Sequence, residues 1–529
     1  MSVFDLNVTL GRTALPVGDP FDTPETLLTE MRRLRIDEAL VCHAIALEAD
    51  IEYGNALLTE QLRRHQNLFP CWVMAPPAFG DLPEPKAWLE RARAAGVKAV
   101  RLVPKHGNYS LAAWCTGPLL NQLEQANMPV LLDFGHHHWS QSPIPWNDVL
   151  DVCHRFPALD VAVLGVTVGD TRNLYAALRA APNLHLECHD FALPDMFKLM
   201  TNEGFTERIL FGTGMPKHAG ENRVFQLWHG ALNQTARADI GWRNAHRLMR
   251  IDTTPATDLL SRNPAPWPKG VVIDIHAHCG SWEATSSPVN RPEDILASMH
   301  RCGIHKLIAS SFTAIHGETH LGNEQTAHII RKYPDFLFGY CVINPNYPRE
   351  IASELETCFE KALNFVGLKF HCGLHGKPLH DAGYAEALDY ANELALPVLI
   401  HAHGEDDWKT TTQRYPRVPF IVAHGCGWNA CEPPPPTIAL AAKIPNLYAD
   451  VAGSAAWRKA LRRLIDAIGP AKVLYGSDYP MFDLAWEIGR VALAELSDVE
   501  KLTVCGGNAT RLFKRLPQGE THGLVVPRP

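Results

Sequence analysis

The chain has 529 residues, well above the roughly 100 to 200 of a usual domain, so two large domains are expected. A hydrophobic share of 46% and a charged share of 20% exclude wholesale disorder and supply ample material for buried cores. The net charge of −8 argues against a protein whose main business is coating nucleic acid or an anionic membrane. No basic segment followed by an apolar core stands near the first residue, and no run reaches the roughly 18 apolar residues of a membrane span. The 13 cysteines are scattered and form no CxxC pair, which suits a reducing cytoplasm better than a disulfide framework.

In chain order, apolar runs of strand length alternate with helical patterns from end to end. PETLLTEMRRLRI is followed by the strand-like VCHA, and PEDILASMHRCGI by LIASS. Such alternation implies βαβ units, a parallel sheet and helices outside it. Strands are expected near Val3, Ala39, Pro70, Val97, Pro129, Val161, Leu184 and Ile209, and again near Val271, Lys306, Phe338, Val366, Pro397, Pro419, Leu447 and Val473. Eight units in about 250 residues is the size of one (β/α)8 barrel. The halves also repeat: Pro24 and Met31 return as Pro292 and Met299, MPVLLD as LPVLIH, FGTGMP as YGSDYP, and NAHRL as NATRL, each 264 to 268 residues on. The expected fold class is therefore α/β, two tandem TIM-type barrels over 1–251 and 271–516. A Pro-rich linker over 252–270 joins them and a short tail covers 517–529.

The second half carries ligand-type residues where its strands end. GVVIDIHAHCG sets His276 and His278 two apart, on one face of a strand. VLIHAHG ends at His401, PFIVAHG at His424 and VLYGSDYP at Asp478. Barrels of this type build their sites at the carboxyl ends of the strands, so the five converge, and burying them without a cation would cost several kcal/mol. Lys369 and His371 share a strand face in GLKFH, and His403 lies two past His401. Trp282 anchors a long loop that also contains Arg291. Cys279, Cys372 and Cys426 fall just past strand ends, where small tolerated residues are a better reading than thiolate ligands.

The series IDIHAH, GLKFH, VLIHAHG, IVAHG and LYGSDYP resembles the amidohydrolase superfamily, in its amidohydrolase-related branch, over the whole second half. The resemblance implies a (β/α)8 barrel with one divalent metal, Zn2+ first and Mn2+ second, a binuclear site being less favoured. His276, His278, His401 and Asp478 would be its ligands, and His424 a ligand or an acid/base residue. A metal-activated water with Asp478 as proton acceptor and His424 steadying charge on oxygen would give hydrolysis of a small amide, lactone or related bond. The same branch includes non-oxidative decarboxylases of aromatic or unsaturated acids, the second reading; a non-catalytic scaffold is the third. Lys369, His371, His403, Trp282 and Arg291 are the expected substrate contacts, with a carbamylated, metal-bridging Lys369 or a wall lysine as alternatives.

The first half departs from this pattern. FDLNVTLG puts Asn7 and Thr9 at the histidine positions, Asp133 replaces His401, Gly165 falls where His424 does, Gly214 takes the place of Asp478, and Arg101 replaces Lys369. One carboxylate cannot hold a catalytic zinc. The His136-His137-His138 cluster and the ECHD run from Glu187 to Asp190 do not reproduce the lost spacing and read as loop polar groups. The first barrel is expected to be a structural partner, a pseudo-dimer mate of the second, with a homo-oligomer also open.

Overall fold

The computed structural model describes residues 2–14, 18–78, 80–136, 143–252, 270–283, 291–361, 364–425, 435–453 and 457–517. The expected linker, the tail, His137, His138 and Cys426 lie largely or wholly outside the described residues. Two compact units divide the chain, one formed by 1–192 with 196–265 and the other by 193–195 with 266–529.

Each unit is built on an eight-stranded all-parallel sheet in sequential order. The first comprises β1 (Phe4–Leu10), β2 (Glu38–His43), β3 (Leu68–Val73), β4 (Ala99–Leu102), β5 (Val130–Asp133), β6 (Val161–Leu164), β7 (Leu184–Glu187) and β8 (Ile209–Leu210). The second comprises β9 (Ile273–Cys279), β10 (Lys306–Ser311), β11 (Leu337–Ile343), β12 (Phe365–His371), β13 (Val398–His401), β14 (Phe420–Val422), β15 (Leu447–Asp450) and β16 (Val473–Leu474). Helices connect the strands, as parallel pairing requires. The expected α/β class and tandem TIM-type barrels are thus found. Strands buried on both faces explain the nearly continuous apolar runs; Ile275, Ile308, Phe338, Val366, Leu399, Ile421 and Leu474 share one core cluster of the second unit.

The last strand of each unit is only two residues long, and the chain beyond it closes the ring. In the second unit Ile275 N donates to Tyr475 O, Asp478 N to His276 O and His278 N to Tyr479 O, so residues 475–479 run hydrogen-bonded along β9. In the first, Leu6 N donates to Phe211 O and Gly214 N to Asn7 O. Both first strands carry a bulge at the same point, between Asp5 and Val8 and between Asp274 and Ala277. An asparagine latches each closing strand: Asn244 Nδ2 donates to the Thr206 and Ile209 carbonyls, and Asn508 Nδ2 to those of Pro470 and Val473.

Candidate metal centre

Ring closure is what brings Asp478 to the histidines of β9. Its carboxylate Oδ1 lies 2.9 Å from His278 Nε2 and 3.5 Å from His276 Nε2. From β13, His401 presents Nε2 at 3.2 Å from His276 Nε2. His424, just past β14, has its ring centroid 4.6 Å from that of His401 and 5.2 Å from that of His276. Donor atoms of His276, His278 and His401 lie within 4.8 Å of one another, as do those of His276, His424 and Asp478.

This donor set fits a single divalent cation. With metal–donor bonds of about 2.1 Å, the edge of a tetrahedral shell is about 3.4 Å, and the separations of 2.9, 3.2 and 3.5 Å bracket it. The rings are oriented from behind. His276 Nδ1 pairs with Asp450 Oδ2 at 2.7 Å, His278 Nδ1 with Ser310 Oγ at 3.0 Å, and His424 Nδ1 donates to the Ala452 carbonyl at 2.8 Å. Each contact turns Nε2 toward the cluster, the arrangement that fixes tautomer and direction in metal-bound imidazoles. Burial, together with the Lys369 charge, holds His276 and His401 well below the ordinary histidine range, in the neutral form that metal binding requires. Burial alone would raise Asp478, but its hydrogen bond to His278 and the surrounding histidines hold it far below the usual carboxylate range.

Parallel register places the neighbouring strand beside these groups. His371 pairs with His401 across β12 and β13, and their rings lie 4.1 Å apart. Lys369 is buried on the same strand, with Nζ 2.9 Å from His276 Nε2. Burial pushes its ammonium down to about 7 against the pull of Asp478 and Asp450. Phe312 stacks on His278 at 4.5 Å, and Trp282 packs 5.8 Å from Phe312 and 5.6 Å from His316, so Trp282 meets the site through Phe312.

Two expected residues stand elsewhere. Arg291 occupies the N-cap of helix Pro292–Cys302, largely exposed and paired through Nε and Nη2 with Asp294. His403 sits in the loop after β13, where its Nδ1 accepts from Glu405 N. Cys279 and Cys372 are buried, with thiols pushed up to about 11 and 12 by burial, and Cys279 contacts Thr326 Oγ1. Asp450, Ser310 and Phe312 were assigned no role from sequence. NLYADVAG contains Asp450, LIASS contains Ser310 and Phe312 follows it directly, but a residue that acts from behind another side chain leaves no spacing signature of its own.

In the first unit the corresponding centre is filled by a charged chain of protein groups. Arg101 donates from Nε and Nη2 to Asp133 Oδ2 at 2.9 and 2.6 Å, and from Nη1 to Asn7 Oδ1 at 3.1 Å. Asn7 Nδ2 donates to Glu187 Oε2 at 3.0 Å, and the same oxygen meets His189 Nδ1 at 2.6 Å. A guanidinium thus provides the positive charge in the place where the other barrel gathers histidines and Asp478.

A model of the amidohydrolase family (Amidohydro_2) matches residues 273–515, the second barrel. No curated protein matches the chain. Among solved structures, the chain resembles 5-carboxyvanillate decarboxylase from Sphingomonas paucimobilis, at 17% identity over 46% of this chain and 98% of that one, with a TM-score of 0.35. A dihydroxybenzoic acid decarboxylase from Polaromonas sp. JS666, with bound manganese and 2-nitroresorcinol, is 17% identical over 47% and 98%, with a TM-score of 0.39. For 4-oxalomesaconate hydratase from Rhodopseudomonas palustris the values are 17%, 46%, 96% and 0.35.

Proposed function

We propose that the second barrel is a metal-dependent enzyme acting on a small organic acid, with His276, His278, His401 and Asp478 holding one divalent cation, Zn2+ or Mn2+. The observation that carries the substrate class is Lys369, a buried lysine whose Nζ stands 2.9 Å from a ligand nitrogen. An ammonium in a desolvated pocket is strongly stabilised by an anion, and a substrate carboxylate is the anion this position can meet. A bound cation would supply Lewis acidity toward a substrate oxygen and a lowered pKa for water.

Non-oxidative decarboxylation of an aromatic or unsaturated acid uses every group in place. Lys369 and His371 hold the acid, and the bond from the ring or alkene carbon to its carboxyl carbon breaks, leaving the electron pair on the carbon. A proton taken up from solvent at His424 Nε2, while Nδ1–H stays on the Ala452 carbonyl, and passed on to that carbon completes the exchange for CO2. Hydrolysis of an amide or lactone is the second reading, and Asp478 favours it: a carboxylate kept ionised beside the ligands is a proton acceptor rather than a donor.

The two separate in one assay. The protein loaded with Zn2+ or Mn2+ is offered hydroxybenzoate-type acids and acid-bearing lactones or amides, with CO2 release and ring or amide opening followed in parallel. CO2 release that disappears in Lys369→Met supports decarboxylation. Ring or amide opening without CO2 transfers the site to hydrolysis, and turnover unchanged after chelation removes both readings.

A further inference from the structure

The first barrel lacks the ligands found in the second, yet it gathers another set of metal-type side chains. His189 and Asp190 follow β7, and His218 lies in the segment that follows β8. One donor atom from each falls within 4.8 Å of the others. The His189 and His218 rings lie 4.9 Å apart at 66°, and His218 Nδ1 stands 4.0 Å from Asp190 Oδ1. All three are at least half-buried without being sealed, their side chains retaining 7%, 19% and 13% exposure, so an ion can enter from solvent.

Two further features prepare this cluster. His189 Nδ1 is held by Glu187 Oε2 at 2.6 Å, which turns Nε2 outward; Asp450 does the same for His276 in the second barrel, and both carboxylates end the seventh strand of their sheets. Gly214, at the position of Asp478, makes room for the rings. A Cβ there would come within 2.7 Å of His189 Cδ2 and 2.9 Å of His218 Cδ2. The glycine that stands where the second barrel has Asp478 is the one that lets two imidazoles converge.

We infer that His189, Asp190 and His218 form a cation site in the first barrel, displaced from the position that the cluster takes in the second and of the zinc class. Two imidazoles and one carboxylate make an N2O set with a coordination position left for water, a composition that suits Zn2+ better than the all-oxygen preference of Mg2+ or Ca2+. A bound ion would join the loop after β7 to the chain after β8, adding a second tie across the ring closure.

The test counts ions in the full-length chain, stripped with chelator and titrated with Zn2+ by calorimetry, with Co2+ absorption as a second readout. Two equivalents are expected for the wild type, one for His276→Ala/His278→Ala, and none when His218→Asn is added to that pair. Circular dichroism checks each fold, and anomalous scattering from Zn2+-soaked wild-type crystals locates the ions should a variant fail to fold. A single equivalent abolished by His276→Ala/His278→Ala overturns the inference while leaving the proposed catalytic centre intact. Two equivalents both lost in that pair would signify a binuclear second barrel and also overturn it. A single equivalent lost only with His218→Asn upholds this site and removes the other.

Discussion

His424 and Asp478 both hold φ at 60°, a left-handed conformation that side chains other than glycine adopt at a cost of about 1 kcal/mol or more. Their counterparts in the first barrel, Gly165 at 81° and Gly214 at 68°, keep the same backbone without that cost. The strain in the second barrel therefore accompanies the side chains of the proposed centre, while the backbone turn belongs to the repeat. In metal-free protein, Asp478→Gly is expected to be more stable to urea than Asp478→Ala by about 1 kcal/mol, although neither binds the cation. Equal stabilities would show that the turn is unstrained. Asp133 makes the complementary case. Burial alone would raise its pKa, but Arg101 holds it near 2, so its stabilising contribution is present above pH 4 and is lost as the pH falls toward 2. Asp133→Asn is expected to cost about 3 kcal/mol at pH 7 by leaving Arg101 buried and uncompensated. The gap to wild type then narrows by about 2 kcal/mol between pH 5 and pH 2, measured by denaturant midpoints across that range.

Strand positions were legible in the sequence because buried parallel strands are nearly uniform apolar runs. Val161, Leu184, Ile209, Lys306, Leu447 and Val473 begin strands where expected, and the others start within three residues of expectation. The clustering of His276, His278, His401, His424 and Asp478 was legible for the same reason: a histidine or aspartate that breaks an apolar run is conspicuous. What pattern could not express is pairing between segments far apart in sequence. The closure of residues 475–479 on β9, the Asp450 contact behind His276 and the convergence of His189 with His218 all depend on which strand ends become neighbours. The place of Arg291 was likewise not legible: its loop leads into a helix whose first turn supplies Asp294 as partner. The closing element yields its own prediction. Asn508 satisfies the Pro470 and Val473 carbonyls at 2.8 and 2.7 Å, and its removal leaves both without that donor beneath β16. Asn508→Ala is expected to lower stability by about 2 kcal/mol and to weaken cation binding, since β16 leads directly to Asp478. A loss of stability with unchanged Zn2+ affinity would separate the latch from the site.

At the scale of the whole chain, the two barrels solve one electrostatic problem in different ways. Each brings carboxylates and polar side chains to the carboxyl end of its sheet, where unpaired negative charge is costly. The first answers with a covalently attached cation, Arg101, between Asp133 and Asn7; the second gathers His276, His278, His401 and Asp478 around a place suited to a free ion. Stability of the second barrel should therefore depend on metal concentration, by about 3 kcal/mol at a hundredfold excess over the dissociation constant, while β4 and β5 of the first should not once His218→Asn has removed the cation site inferred there. Hydrogen exchange resolves this within one intact His218→Asn chain. Chelation is expected to speed exchange in peptides spanning 273–279, 398–401 and 473–479 and to leave 99–102 and 130–133 as protected as before. Uniform loosening of both sets would mean that the Arg101–Asp133 pair does not substitute for the ion. Unchanged exchange in the first set would mean that the histidine cluster is held by packing alone, and its donor spacing would then owe nothing to a cation.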